Sequence, residues 1–197
     1  MGIYNAEISA GALMLPESRR IAKLRMGNPT EVDWTEALRG ENVLQKKTPA
    51  TARRQARLIR NRLETLDQEG WQLIAEGDKE MATQLLLAAS IRHSRLLGDF
   101  LHDVYAQHLR RLEHSLSPRS WEAFITECAH RDPAVAGWAD STKRKLFQVI
   151  VRILAEAGYL DSTRKMNLTP PMLHPSVVTY LKRLGDMQTL ASMEQAR

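Results

Sequence analysis

Apolar residues recur at spacings of three and four along nearly the whole chain, a period that belongs to helices rather than strands. Residues 16–26 read as a short helix, stopped by Gly27 and broken by Asn28-Pro29. Thr30 is placed to cap a second helix, with Trp34, Leu38, Val43 and Leu44 as candidate core residues and Gly40 as its end or bend. A Lys46-Lys47-Thr48-Pro49 turn leads into a third, which runs to about Asp67, is capped by Thr48 and takes Pro49 at its first position. At 100° per residue, Ala52, Ala56, Ile59, Leu63 and Leu66 fall in one apolar arc of that helix. Three helices with a tight turn before the third make a helix-turn-helix pattern, one that also serves as plain scaffold.

Further along, Asp78 starts a helix that carries Leu85-Leu86-Leu87 towards Arg92, and Gly98 is a candidate interruption. Residues 99–114 place Leu101, Val104, Tyr105, Leu109 and Leu112 at helical spacing before Ser117-Pro118 opens a new region. There, residues 121–129 and 133–138 form helices, and Ser141 caps another over residues 142–157 that Gly158 closes. Tyr159-Leu160, a polar turn over 161–165 and residues 166–168 fit a small hairpin, and residues 175–184 a last helix ended by Gly185. That order is the order of a winged helix, with residues 141–145 and the 161–165 loop as its contact elements. Against it, Leu146, Phe147, Val149, Ile150, Val151, Ile153, Leu154 and Ala157 cover about 200° of the third helix, as in a central core helix. Only Lys145, Gln148 and Arg152 are left as an exposed strip.

The fold class is therefore all-α or nearly so. Residues 1–67 form a helix-turn-helix-like unit, 68–116 an acidic helical connector, and 117–197 a winged-helix-like or helical-bundle unit.

Charge changes this picture more than composition does. Hydrophobic and charged shares of 43% and 26% are those of an ordinary soluble protein. The net charge of +5 hides a basic–acidic–basic chain: +6 over residues 1–62, −6 over 63–140 and +5 over 141–197. Seven basic residues and no acidic one lie between Lys46 and Arg62, namely Lys46, Lys47, Arg53, Arg54, Arg57, Arg60 and Arg62. Arg53, Arg57 and Arg60 align at i, i+4 and i+7 on a face away from the apolar arc, with Arg54 and Asn61 beside them. An unneutralised guanidinium row suits a polyanion, and nucleic acid is the first to consider. Lys143, Arg144, Lys145, Arg164 and Lys165 are the matching candidates near the C-terminus. The alternative is that each cluster is a solvated surface.

No catalytic constellation accompanies the charge. No two of the six histidines stand at i, i+4, and the lone Cys128 can neither complete a zinc cluster nor form an internal disulfide. Asp99, His102 and Asp103 share a helical face, for which a solvated or salt-bridged surface is the competing account to a metal. Trp34, Trp71, Trp121 and Trp138 fit core anchors as well as base-stacking platforms. Apolar runs such as residues 85–89 and 149–151 fall far short of the roughly 20 residues of a membrane span. With no convincing signal peptide and one cysteine, a cytoplasmic, non-enzymatic protein is expected, without cofactor, metal, membrane or small-molecule substrate.

Taken in order, the chain resembles the BrxA family, the small helical component of BREX (bacteriophage exclusion) defence systems. The likeness lies in Glu17-Ser18, Trp34, Asn42-Val43-Leu44-Gln45 leading to Thr48 and Thr51, Arg53, and Arg62-Leu63. It continues in Trp138 before Ser141-Thr142, in Ala155-Glu156-Ala157-Gly158-Tyr159-Leu160 and in Leu184-Gly185-Asp186. The resemblance covers nearly the whole chain, but none of these short stretches is diagnostic alone. It implies a non-enzymatic, nearly all-helical antiviral defence component working with other BREX proteins, for which DNA binding is plausible. A likeness of the family to the RNA-binding antitermination factor NusB keeps RNA open, and a protein–protein adaptor is the remaining alternative. Residue roles come only from the basic faces. The expected partner is double-stranded DNA, held through phosphate contacts that carry little sequence information.

Overall fold

The computed structural model describes residues 2–194. Among them the chain is helical, without a named strand. A single 3-10 turn, Glu7–Ala10, precedes α1 (Leu15–Met26), α2 (Glu31–Arg39) and α3 (Pro49–Leu63). Then come α4 (Gln68–Glu76), α5 (Lys79–His93) and α6 (Arg95–Phe100), which a π-helical turn over Leu101–Tyr105 joins to α7 (Ala106–Arg110). The rest is α8 (Pro118–Arg131), α9 (Pro133–Ala136), α10 (Asp140–Glu156), α11 (Pro175–Arg183) and α12 (Met187–Glu194).

Side chains that accept backbone N–H groups at helix starts explain most of these boundaries. Thr30 forms a capping box with Asp33, and Thr48 accepts the N–H of Thr51 at 3.2 Å. Asp78 accepts from Met81 at 2.8 Å, and Ser117 from Ser120 at 3.3 Å. Two helices went unforeseen. α4 is capped by Asp67, which accepts the N–H of Gly70 at 3.0 Å, and α12 is preceded by Asp186, which accepts from Thr189 at 3.1 Å.

Other expectations need correction. α10 starts at Asp140 with Ala139 at its N-cap, so Ser141 lies inside the helix and caps nothing. Gly98 lies within α6, and the chain breaks instead at Ser94, which ends α5 and caps α6. The turn before α3 is not tight but spans residues 40–48. The C-terminal hairpin reduces to isolated bridges, Leu160 with Leu168 and Ser115 with Asn167, so the winged-helix alternative has no wing strands. Leu112 is not a core residue.

The centre of the fold is α5, where residues 84–91 are all buried. A helix apolar on every side must be surrounded, and α1, α3, α4, α6, α11 and α12 all pack on it. Each leucine so enclosed stabilises the fold by roughly 1.5–3 kcal/mol. One apolar cluster runs from Tyr4 and Ile8 through α5 to Ile150, Tyr180 and Met193. No helix among the described residues is long and apolar enough to cross a membrane.

Candidate nucleic-acid interface

α3 buries more of itself than its apolar arc requires. Ala52, Ala56, Ile59 and Leu63 face the core as expected, but Leu58 and Arg62 are buried as well. The exposed arc is narrowed to a strip along Arg53, Arg54 and Arg57, with Asn61 half-buried at its edge. These three arginines and Lys47 are exposed and have no ion-pair partner among the described residues.

Three other cations of the same stretch are neutralised or hidden. Lys46 is half-buried with its Nζ 2.5 Å from Glu17 Oε1. Burial pushes the Glu17 carboxyl up, but the hydrogen bond from Lys46 and the nearby positive charge hold it below its ordinary value. Arg60 donates to Glu64 at 3.0 Å and to Glu31 at 3.4 Å and lies over the ring of Trp34 at 5.2 Å. Its pKa is raised, chiefly by Glu64. Arg60 is thus a corrected member of the free row.

Arg62 is only 2% exposed. Its guanidinium donates to the carbonyls of Ala12 at 2.5 Å and Gly11 at 3.0 Å, tying the segment before α1 into the core, and its Nε has no partner. Burial pushes it down to about 10, against the pull of Glu156, so it stays charged at neutral pH. Gln55, beside this strip, keeps its Oε1 buried.

The C-terminal candidates separate. Arg144 and Lys145 are exposed at the start of α10 without an ion-pair partner among the described residues, while Lys143 is half-buried 4.0 Å from Asp140. Arg164 and Lys165 are exposed in the loop beyond the other end of α10, where Leu160 N donates to Leu154 O. Lys143 and Leu154 alone are about 16 Å apart in helix rise. The two groups do not form one face.

Three of the four tryptophans are occupied, Trp34 by the guanidinium of Arg60. Trp121 is buried and stacks on Phe147 at 5.5 Å, and Trp71 donates its indole N–H to Leu63 O at 2.7 Å beneath Arg25. Asp99 accepts from Tyr4, while Asp103 accepts from Arg131 and contacts His102 at 2.9 Å. No group of three metal-binding side chains converges among the described residues. Cys128 is buried, and burial pushes its thiol up to about 11.

A second cationic surface escaped the sequence because it lies in the acidic stretch. Among the described residues Arg110, Arg111 and Arg119 are exposed without ion pairs, and Arg111 and Arg119 line one open cavity of about 500 Å³ with His108 and the carboxylates Asp103, Glu113 and Glu127. Leu116 N donates to Met166 O at 3.0 Å, which brings Lys165 to the same end of the molecule as Arg119. The visible signal was the Arg110-Arg111 doublet.

Comparison with known proteins places this geometry. The model of the BrxA family matches residues 2–185. Two proteins named BREX protein BrxA, from Paramagnetospirillum magneticum and Escherichia coli O9:H4, are each 39% identical over 191 residues. These alignments cover 97% of this chain and 96% and 90% of the two relatives. A third of that name, from Bacillus cereus, is 28% identical over 93% of this chain and 92% of its own length. A crystal structure of an uncharacterized protein from Magnetospirillum magneticum, 38% identical, superposes with a TM-score of 0.90 over 98% of both chains.

Proposed function

The chain belongs to the BrxA family, a component of BREX phage-defence systems, and on that premise we propose that it is a non-enzymatic component that binds double-stranded DNA. It does so in the cytoplasm, with other BREX proteins, through phosphate contacts that carry little sequence preference. One observation carries the proposal: Arg53, Arg54 and Arg57 on the exposed strip of α3, and Lys47 just before its cap, have no ion-pair partner among the described residues, while neighbouring cations are paired or buried. Charge left unpaired on a rigid helix about 22 Å long is placed to neutralise phosphates. The positive end of the α3 dipole adds to the same side.

RNA is the second class. The occupied tryptophans count against a single strand, which is usually held on open aromatic rings. The test changes Arg53, Arg54 and Arg57 together to Gln and leaves the paired Arg60 in place. With one phosphate per arginine, the slope of log K against log salt for a duplex flattens by about 2.7. The flattening is expected to be alike for unrelated sequences, and duplex RNA to compete more weakly than duplex DNA. Wild-type binding by a folded triple variant at every salt concentration would transfer the row to a protein-docking role.

A further inference from the structure

Leu112 is the one large side chain whose conformation and exposure are both unfavourable. Its φ is +56°, in the left-handed region that a β-carbon disfavours, and it is 83% exposed. The backbone explains the angle. Leu112 N donates to Leu109 O at 3.0 Å and Glu113 N to His108 O at 2.9 Å, closing α7 with the pair of bonds for which glycine is the usual residue. Glycine would satisfy this backbone with less strain, and the fold gains no burial from leucine. The isobutyl group is left free to meet a partner outside the chain.

Its surroundings select the partner. Arg110 and Arg111 precede it, Arg119 lies across the cavity that Arg111 lines, and none of the three has an ion-pair partner among the described residues. Three carboxylates line the same cavity, and each is engaged: Glu113 by His108 Nε2 at 3.0 Å, and Asp103 and Glu127 by Arg131 at 2.9 and 3.4 Å. A protein interface or a bilayer takes a contiguous apolar patch, whereas a single exposed leucine that follows two unpaired arginines has the form of a wedge entering a base step between phosphates. We propose that Leu112 is a DNA-unstacking wedge, with Arg110, Arg111 and Arg119 holding the flanking phosphates. The proposal rests on the DNA-binding function above and adds a second contact, distinct from α3, that deforms the duplex.

The probe is a 12-base-pair duplex with 2-aminopurine at a central TA step, the kind of step that unstacks most readily. Wild-type protein at saturation raises its fluorescence. Leu112→Gly keeps or raises the melting temperature, binds about three- to tenfold more weakly and leaves the fluorescence flat, while Leu112→Met restores the rise. Leu112→Asn, which also tolerates the left-handed region, repeats the glycine result should the glycine variant fold poorly. Flat fluorescence with saturated wild type, or an undiminished rise with Leu112→Gly or Leu112→Asn, overturns the wedge alone, because the salt slope and its loss in the α3 triple variant remain. Absence of any wild-type binding at low salt removes both.

Discussion

The two halves of α3 carry the same residue type to opposite ends. In the first half, Arg53, Arg54 and Arg57 reach solvent with no acid opposite them. In the second, Arg60 is held by Glu64, Glu31 and the Trp34 ring, and Arg62 is enclosed against the carbonyls of Gly11 and Ala12. Nothing intrinsic to arginine differs between them. Both halves bury one arc, Ala52 and Ala56 in the first and Ile59 and Leu63 in the second, but only the second has Glu31 of α2 and the carbonyls of Gly11 and Ala12 within reach of its arginines. A count of basic residues therefore overstates the charge available to a polyanion, and the excess is spent on holding the fold together.

Four measurements bear on this contrast. The largest effect belongs to Arg62→Met, which leaves two inward carbonyls without their donor; a loss of about 2–4 kcal/mol in urea unfolding is expected. Wild-type stability in that variant would mean that the guanidinium ties nothing down. The Arg53, Arg54 and Arg57 triple to Gln is expected to show the reverse: a large loss of salt-sensitive DNA binding, with unfolding within about 0.5 kcal/mol of wild type. Arg60→Gln should cost about 0.5–1 kcal/mol, the scale of a surface ion pair with a cation–π contact, and leave the salt slope as it was. A slope flattened by nearly one unit would return Arg60 to the binding row.

The smallest effect is a pH dependence. Burial first, and then the positive charge of Arg62, hold the His93 imidazole below its ordinary value, with Glu7 opposing them. Between the native and unfolded pKa values the unfolded chain binds the extra proton, so stability rises with pH in the window below about 6.5 and levels off above it. Removing the Arg62 charge lifts the native value towards the unfolded one. Urea midpoints from pH 5 to 8 are therefore expected to depend less on pH in Arg62→Met than in wild type; identical profiles would uncouple the two residues.

Legibility in the sequence followed the range of the interaction. The Thr30, Thr48 and Asp78 caps act on N–H groups three residues away, and all three were readable; Ser117 was read only as a boundary, and its helix as starting at residue 121 instead of Pro118. α4 was not, because Gly70 in its first turn resembles a breaker. It is there because a β-carbon at that position would meet Tyr180 Oη at 2.3 Å, a contact made across 110 residues. Lys47, Arg53, Arg54 and Arg57 were readable as exposed cations from the period of one helix. Arg60 was placed on the free row although Glu64, its nearer partner, lies only four residues on; its second partner, Glu31, lies 29 residues earlier, and the carbonyl of Gly11 that encloses Arg62 lies 51 residues earlier. The Arg110, Arg111 and Arg119 surface was masked by the acidic residues that share its stretch of chain.

The sequence by itself determined that this protein is helical, where most of its helices begin, which arc of α3 turns to the core, and which family it resembles. These follow from hydrogen bonds and side-chain periods that close within one or two turns. Only the tertiary structure decided which guanidiniums stay free, that the two ends of α10 are no single face, and that Leu112 projects from the end of α7. A charge is cancelled by whatever the fold brings within a few ångströms, and no local period encodes that distance.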